Sequence, residues 1–334
     1  QALLQAADRP LFNRALQGGY EPGSTLKPFV GLAGLAQGLR TPADTIVSSG
    51  EFHIPGQQIG FRDWRRGGHG RVNLEQALAQ SVNTYFYQLG LDLGIDRMSA
   101  ALGQFGFGQA TGIDLPGESS GILPTREWKR ERFKQPWYPG ETVIAAIGQG
   151  FNVATIPQLA NATAALANGG RLYQPRLLHA TQARLDRPAT AAATPPPRNI
   201  EMGEAADWQA VISGMHAVVQ GPTGTALAVG RDAPYLFAGK TGTAQRISRV
   251  RDGAERAAGV KNQALFVAFA PLDQPRIAVA VVVEAGDSGS RTAAPLARKI
   301  IDTWLQRSAD RPSPSEDPML QSVDSEPVED LDAG

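Results

Sequence analysis

Residues 263–286 read QALFVAFAPLDQPRIAVAVVVEAG, two apolar runs parted by a Pro-flanked turn at Leu272 to Gln274. Runs of this length, rich in Val, Ile and Phe, read as strands. So short a link leaves them one arrangement, an antiparallel hairpin, because parallel strands need a long crossover. YLFAGKTGTAQ, starting at Tyr235, reads as a third strand just upstream. Around this cluster the apolar spacing is helical. TLKPFVGLAGLAQGL follows Ser24 and ends near Gly38, and NLEQALAQSVNTYFYQLGLDLG puts Leu74, Leu78, Tyr85 and Leu89 on a buried side. DRMSAALGQFG, TIPQLANATAALANGG and ADWQAVISGMHAVVQG come next, and RTAAPLARKIIDTWLQ closes the pattern.

Composition narrows function more than fold. The 334 residues suffice for a sizeable core. The formal net charge is zero, which argues against a general nucleic-acid binder, since neutralising phosphates takes a Lys/Arg surplus. No run approaches the ~18 apolar residues needed to span a bilayer. The absence of cysteine excludes disulfides, Cys-based zinc sites and thiol catalysis. The chain opens on QALLQAADRPLFNRALQGGY, without an initiator Met or signal peptide, and is expected to be part of a longer protein. Residues 180–204, rich in Ala, Pro and Thr, read as a surface excursion. Residues 308–334, acidic with several prolines and serines, read as a disordered tail.

Three short motifs carry chemistry. The first is Ser24-x-x-Lys27, at the mouth of an apolar helix. Ser is a common helix N-cap and Lys a common surface residue, so a bland reading exists. On a helix, however, positions i and i+3 share a face, and Lys Nζ can reach Ser Oγ. A serine hydroxyl needs a base to become a nucleophile. A neutral lysine can be that base, but bringing its pKa from ~10.4 to ~7 costs roughly 4–5 kcal/mol. Burial and a second cation can supply the shift. The third motif, Lys240-Thr241-Gly242-Thr243, offers that cation from a strand. Gly239 and Gly242 would let a substrate backbone lie close, and Thr241 and Thr243 offer hydroxyls to a substrate carboxylate. The second motif, Ser81-Val82-Asn83, reads on a helix. Its hydroxyl can relay a proton between the lysines, and its amide can hold a substrate peptide group. Ser-x-Asn/Asp alone recurs at Ser308, Ser315 and Ser322, but the three motifs in this order are specific.

With these motifs the chain resembles the penicillin-binding proteins over nearly all of residues 9–305. DRPLFNRALQGGYEPGSTLKPF, FRDWRRGGHGRVNLEQALAQSVNTYFYQLG, TGIDLPGESSGILPTREWKRERFKQPWYPGETVIAAIGQG and ALFVAFAP are similar to the elongation-specific class B branch. The resemblance implies an α+β transpeptidase fold shared with serine β-lactamases, a five-stranded antiparallel sheet flanked by helices plus a mostly helical lobe. The N-terminal chain is then expected to supply the sheet's missing strands. Residues 1–307 would form one transpeptidase domain of two interleaved lobes. The implied activity is DD-transpeptidation of peptidoglycan, without a cofactor. Ser24 would attack the penultimate D-Ala carbonyl of a stem peptide, with the backbone N–H groups of Ser24 and Thr243 as the oxyanion hole. Lys27, Ser81, Asn83 and Lys240 would be catalytic; Thr241, Gly242 and Thr243 would bind substrate. Implied partners are stem peptides, β-lactams, a membrane glycosyltransferase and elongation scaffold proteins. The parent would sit in the bacterial inner membrane with this domain in the periplasm.

Rival readings are a division-specific penicillin-binding protein, a β-lactam sensor and a serine β-lactamase. The last lacks a Glu-x-x-x-Asn between the second and third motifs. Relatives of this branch can carry a metal beside the cleft. Here Asp63 and His69 are two candidate ligands, with Ser48, Ser49 and Val82 where others would stand, and two ligands do not make a zinc site. A loop hydrogen bond or salt bridge is expected instead. Gly286-Asp287-Ser288-Gly289 reads as a strand-to-helix turn, Tyr85–Tyr87 as core packing around the second motif, and REWKRERFK as a solvated face.

Overall fold

The computed structural model describes residues 2–6, 9–58, 60–184, 187–244 and 262–309. The elements that position the site are α1 (Lys27–Ala36), α2 (Leu74–Ala79), α3 (Asn83–Gln104), α4 (Arg126–Phe133), α5 (Ile156–Ala167), α6 (Ala205–Gln220) and α7 (Ala294–Ala309), with strands β1 (Ala238–Ala244), β2 (Gln263–Ala270) and β3 (Ile277–Val283). The strands pair antiparallel in the order β1-β2-β3, and the hairpin expected from sequence is the β2–β3 pair. Along β2 the side chains alternate between two cores, as a period of two requires. Leu265, Val267 and Phe269 join the core of the helical body, whereas Ala264, Phe266, Ala268 and Ala270 join Val218, Phe237, Ala297 and Ile301. Helix α5 covers the first face and α7 the second. A strand covered on both faces needs no polar alternation, which explains the unbroken apolar run.

Helix α1 lies at the centre. Its residues from Lys27 to Leu35 are all buried, and Phe29 meets Phe105 and Phe107 edge-on, centroids 4.8 and 5.3 Å apart. A helix apolar all round must be surrounded by protein. Lys27 is therefore carried into a dry interior by the residues that follow it.

Two expectations are corrected here. The run 73–94 is not one helix. An Asn73 capping box opens α2, which ends at Gln80; Ser81 has φ 56°, and an extended Val82 precedes α3. The expected break after Leu93 is present: Gly94, at φ 72° and ψ 159°, is non-helical and parts the two helical stretches of α3. Glycine alone takes that conformation cheaply, so the chain kinks there. The sheet has three strands among the described residues, not five. The N-terminal segment does not extend it: Asn13 caps a short helix at Arg14–Gln17, and Gly19–Tyr20 pairs instead with Ala154–Thr155. That segment, broken by Pro10 and a Gly pair, has no alternating apolar run to lay along β3.

Helix α4 turns most of its charges to solvent, as expected, but Lys129 points inward, pairs with Glu141 and lies 4.4 Å from the Tyr138 ring centroid. Of the expected tail, Ser308 and Ala309 belong to α7 and 310–334 lie outside the described residues.

Candidate active site

Ser24 does not cap a helix. It sits in a 3-10 turn, Gly23–Leu26, that runs into α1, whose N-cap position is Leu26 with no side-chain cap. In such a turn i and i+3 eclipse, so Ser24 and Lys27 stand on one side of the chain. Ser24 lines a cleft of about 810 Å³ together with Ser81, Asn83, Thr241 and Thr243.

Lys27 and Lys240 lie under the cleft, wholly buried, and converge on one atom. Ser81 Oγ is 3.0 Å from Lys240 Nζ and 3.3 Å from Lys27 Nζ. Lys27 Nζ also donates to Ser81 O at 2.8 Å and Asn83 Oδ1 at 2.7 Å, while Lys240 Nζ donates to Thr241 O at 3.1 Å. The two close oxygens around Lys27 only accept, whereas a hydroxyl can also donate. A neutral amine satisfies this set with two N–H groups and keeps its lone pair. Burial lowers Lys27 to about 7, against the pull of the Asp63 charge. Burial also lowers Lys240 well below its usual value, and the Lys27 charge adds to it. The sequence argument gave burial and a second cation equal standing as means of lowering Lys27. In the fold, desolvation leads for both lysines.

The left-handed turn at Ser81 is unfavourable for a non-glycine residue. Several groups pin it. Val82 N donates to Ala77 O at 2.9 Å, Trp64 Nε1 to Gln80 O at 3.2 Å, and Lys27 Nζ holds Ser81 O. Asp63 closes the start of α3, where its Oδ2 accepts from Thr84 N at 2.9 Å and Thr84 Oγ1 at 3.1 Å. A carboxylate suits a helix N-terminus, and Val82 offers no cap of its own. His69 joins Asp63 at 3.3 Å and Gln80 at 3.1 Å, both side chains of the Asp63–His69 pair being shut off from solvent. This cluster is a loop hydrogen-bond network of the kind expected there. A metal does not fit it: both His69 nitrogens face protein partners, Ser48 Oγ is engaged by Thr84 Oγ1 at 2.7 Å, and Val82 brings no donor.

Thr241 and Thr243 line the cleft; Gly242 does not. A Cβ on Gly242 would meet Thr25 Cγ2 at 2.9 Å and Pro22 O at 3.1 Å, and one on Gly239 would meet Phe266 Cζ at 2.6 Å. These glycines make room for the protein itself, the Ser24 turn in one case and β2 in the other, rather than for a substrate backbone. Sequence reasoning missed Arg62, Trp64, Gln149, Thr225 and Asn262 on the cleft wall. It read Tyr87 as core, and Tyr87 is buried but also reaches the cleft. Asp287 and Ser288 lie in the expected turn and line the cleft as well. Thr225 Oγ1 lies 2.8 Å from Thr241 Oγ1, and its only sequence signal is the Gly-Pro-Thr-Gly turn, 221–224, just before it.

Glu21, three residues ahead of Ser24, opens into a separate cavity of about 410 Å³, and its Oε2 is shielded without a hydrogen-bond partner. Burial pushes this carboxyl from 4.5 up to about 7, the Gly150 N–H pulling the other way. Between those values the native chain keeps a proton that the unfolded chain has lost. Stability therefore falls as pH rises through the window. Glu21→Gln removes that loss. After discounting for solvent screening, the variant should be about 1 kcal/mol more stable than the native chain at pH 8 and indistinguishable at pH 4 by urea unfolding. Equal gain at both pH values would show that the carboxyl does not titrate differently on folding.

A model of the penicillin binding protein transpeptidase domain matches residues 2–302. The peptidoglycan D,D-transpeptidase MrdA of Haemophilus influenzae is 41% identical over 309 residues, covering 91% of this chain and 47% of that protein. The Acinetobacter baumannii MrdA is 44% identical over 302 residues, 89% of this chain and 44% of that protein. Among solved structures, Pseudomonas aeruginosa PBP2 in complex with WCK 5153 superposes with a TM-score of 0.80 at 45% identity, covering 90% of this chain and 64% of that one. Helicobacter pylori PBP2, solved with MreC, gives 0.80 at 33% identity over 92% of this chain and 54% of that one. The chain thus spans about half the length of the curated relatives it matches.

Proposed function

The chain belongs to the penicillin-binding protein transpeptidase family, and we propose that it is the DD-transpeptidase unit of an elongation-type peptidoglycan synthase. One observation carries the reading: two wholly buried lysines meet on Ser81 Oγ beneath the cleft that Ser24 lines. A buried lysine on a serine relay has no structural use that an apolar residue would not serve better.

Neutral Lys27 takes the Ser24 proton as Oγ bonds to the penultimate D-Ala carbonyl carbon. Backbone N–H groups of Ser24 and Thr243 receive the oxyanion, each such donor being worth roughly 2.7–4 kcal/mol. The proton passes through Ser81, with Lys240 holding its hydroxyl, to the nitrogen of the terminal D-Ala. The C–N bond breaks and D-Ala leaves as an amine. Asn83 holds a substrate amide, while Thr241 and Thr243 take the terminal carboxylate. The nitrogen of a second stem's amine then attacks the ester carbonyl and gives its proton to Lys27; the bond to Ser24 Oγ breaks, Lys27 returns the proton to that oxygen, and Ser24 is regenerated with the cross-link formed. β-Lactams enter as mimics of the same carbonyl.

By likeness to PBP2, whose solved complex holds MreC, we place this domain with scaffold proteins of that kind and a membrane glycosyltransferase, on the periplasmic side of the inner membrane. No helix among the described residues is long and apolar enough to cross a membrane.

Intact mass after mixing with benzylpenicillin tests the reading. A single adduct persisting for hours, mapped by digestion to the peptide holding Ser24, is expected. An adduct that clears in seconds while penicillin is consumed would mean a β-lactamase, and no adduct on that peptide would sink the proposal.

A further inference from the structure

Among the described residues the charges in the cleft are nearly all accounted for. Asp63 is engaged by His69 and Thr84, and Asp287 pairs with Arg291 at 3.0 Å. The two lysines lie beneath the floor, disposed to shed their charge. Arg62 is the exception. It lies on the strand Gly60–Arg62, its carbonyl fixed by Tyr87 Oη–H at 3.2 Å, and it lines the cleft. Its guanidinium has no ion pair, hydrogen bond or ring contact among the described residues. Glu51, opposite it in the strand pair, turns to His53 instead, at 3.7 Å.

Two residues on stands Trp64, also in the cleft wall and 61% exposed. An indole so exposed is usually free to move. This one is not: its N–H is tied to Gln80 O at 3.2 Å, and its ring stands edge-on to His69 at 5.2 Å. A fixed, uncovered indole beside an unanswered guanidinium is the pairing that dominates recognition surfaces. Guanidinium selects carboxylate through paired N–H donors, and indole offers a flat face to an alkyl chain.

Arg62 and Trp64 line the cleft with Ser81, Trp64 being tied to the Gln80 carbonyl beside it, whereas the reading above puts the substrate's terminal carboxylate on Thr241 and Thr243. The ligand for Arg62 must be a second carboxylate. We propose that Arg62 and Trp64 form a specificity subsite for the donor stem residue preceding D-Ala-D-Ala, taking an alkyl side chain that ends in a free carboxylate. This rests on the transpeptidase reading and adds which donors the site prefers.

The test is protection of Ser24. Two synthetic peptides X-D-Ala-D-Ala differ only in the end of the long alkyl side chain of X, carboxylate in one and carboxamide in the other. Each is titrated against benzylpenicillin acylation of the intact chain, read by mass. The carboxylate peptide should halve the acylation rate at about tenfold lower concentration than the carboxamide, as a charge-assisted pair predicts. Arg62→Ala should erase that difference, each peptide being scored against the variant's own uncompeted acylation rate. Trp64→Ala should weaken both peptides alike. If the native chain protects equally with both peptides, or the preference survives Arg62→Ala, the subsite is wrong while the transpeptidase reading stands. If benzylpenicillin never labels Ser24, that reading fails and the subsite with it.

Discussion

A Lys27→Ala chain should be acylated by benzylpenicillin about a thousandfold more slowly than the native chain, the loss expected when a general base is deleted. The argument is electrostatic before it is geometric. Burial holds Lys27 near 7, so at pH 8 most molecules carry a neutral amine. In the native chain the acylation rate should climb with pH through about 7 and level off above it, because deprotonation makes the base. Below the inflection the rate should fall about tenfold per pH unit, as for any single ionisation. The variant should show no such limb. Lys27→Met, which fills more of the space, should behave like Lys27→Ala and guard against a mere cavity effect. A native profile flat from pH 5 to 9 would mean that Lys27 is not the base, whatever its position.

The fold and the site were legible in the sequence to different depths. The β2–β3 hairpin was plain because its apolar runs and Pro-flanked turn are local. The Ser81 turn was not, since nothing in LEQALAQSVNTYFY breaks a helical pattern. The break is imposed by partners far away in sequence: Asp63 on Thr84 N, Trp64 on Gln80 O, and Lys27 on Ser81 O. Tertiary contacts of this kind override propensity. The three motifs could be picked out from their order alone, yet their meeting in space could not. That two lysines share one hydroxyl depends on α1, the Ser81 turn and β1 meeting at a point, and only packing decides that. Gly242 was misread for the same reason: a missing side chain shows that something comes close, but not what, and here it is the Ser24 turn. The cleft-wall residues Arg62 and Trp64 come from a short strand and its loop, where no periodicity marks which side faces inward.

Gly148→Ala should cost both stability and acylation, and comparing it with Gly38→Ala separates the two causes. Gly148 has φ 72°, and its carbonyl accepts from Gly23 N at 2.8 Å, tying the segment before Gln149 to the nucleophile turn. A Cβ there would stand 2.2 Å from Gly23 O and 2.8 Å from Gly23 N. Those are backbone atoms, which cannot swing aside as a side chain can. The left-handed φ costs about 1 kcal/mol for alanine, and relieving the overlap costs about 2 kcal/mol more. The apparent Tm should therefore fall by about 5 °C. Relief has one cheap direction, moving Gly23 and the Ser24 that follows it away from the floor of the cleft. A misplacement of about 1 Å is worth about a hundredfold in rate, so acylation should fall by tenfold to a hundredfold in chains that remain folded. Gly38 has nearly the same φ, 65°, but nothing within 4 Å of its would-be Cβ. Alanine there carries the backbone strain alone and should leave acylation within twofold of native, a change too small for a displaced nucleophile. If both variants acylate alike, strain rather than displacement explains any shared loss, and the Gly23–Gly148 contact does not set where Ser24 stands.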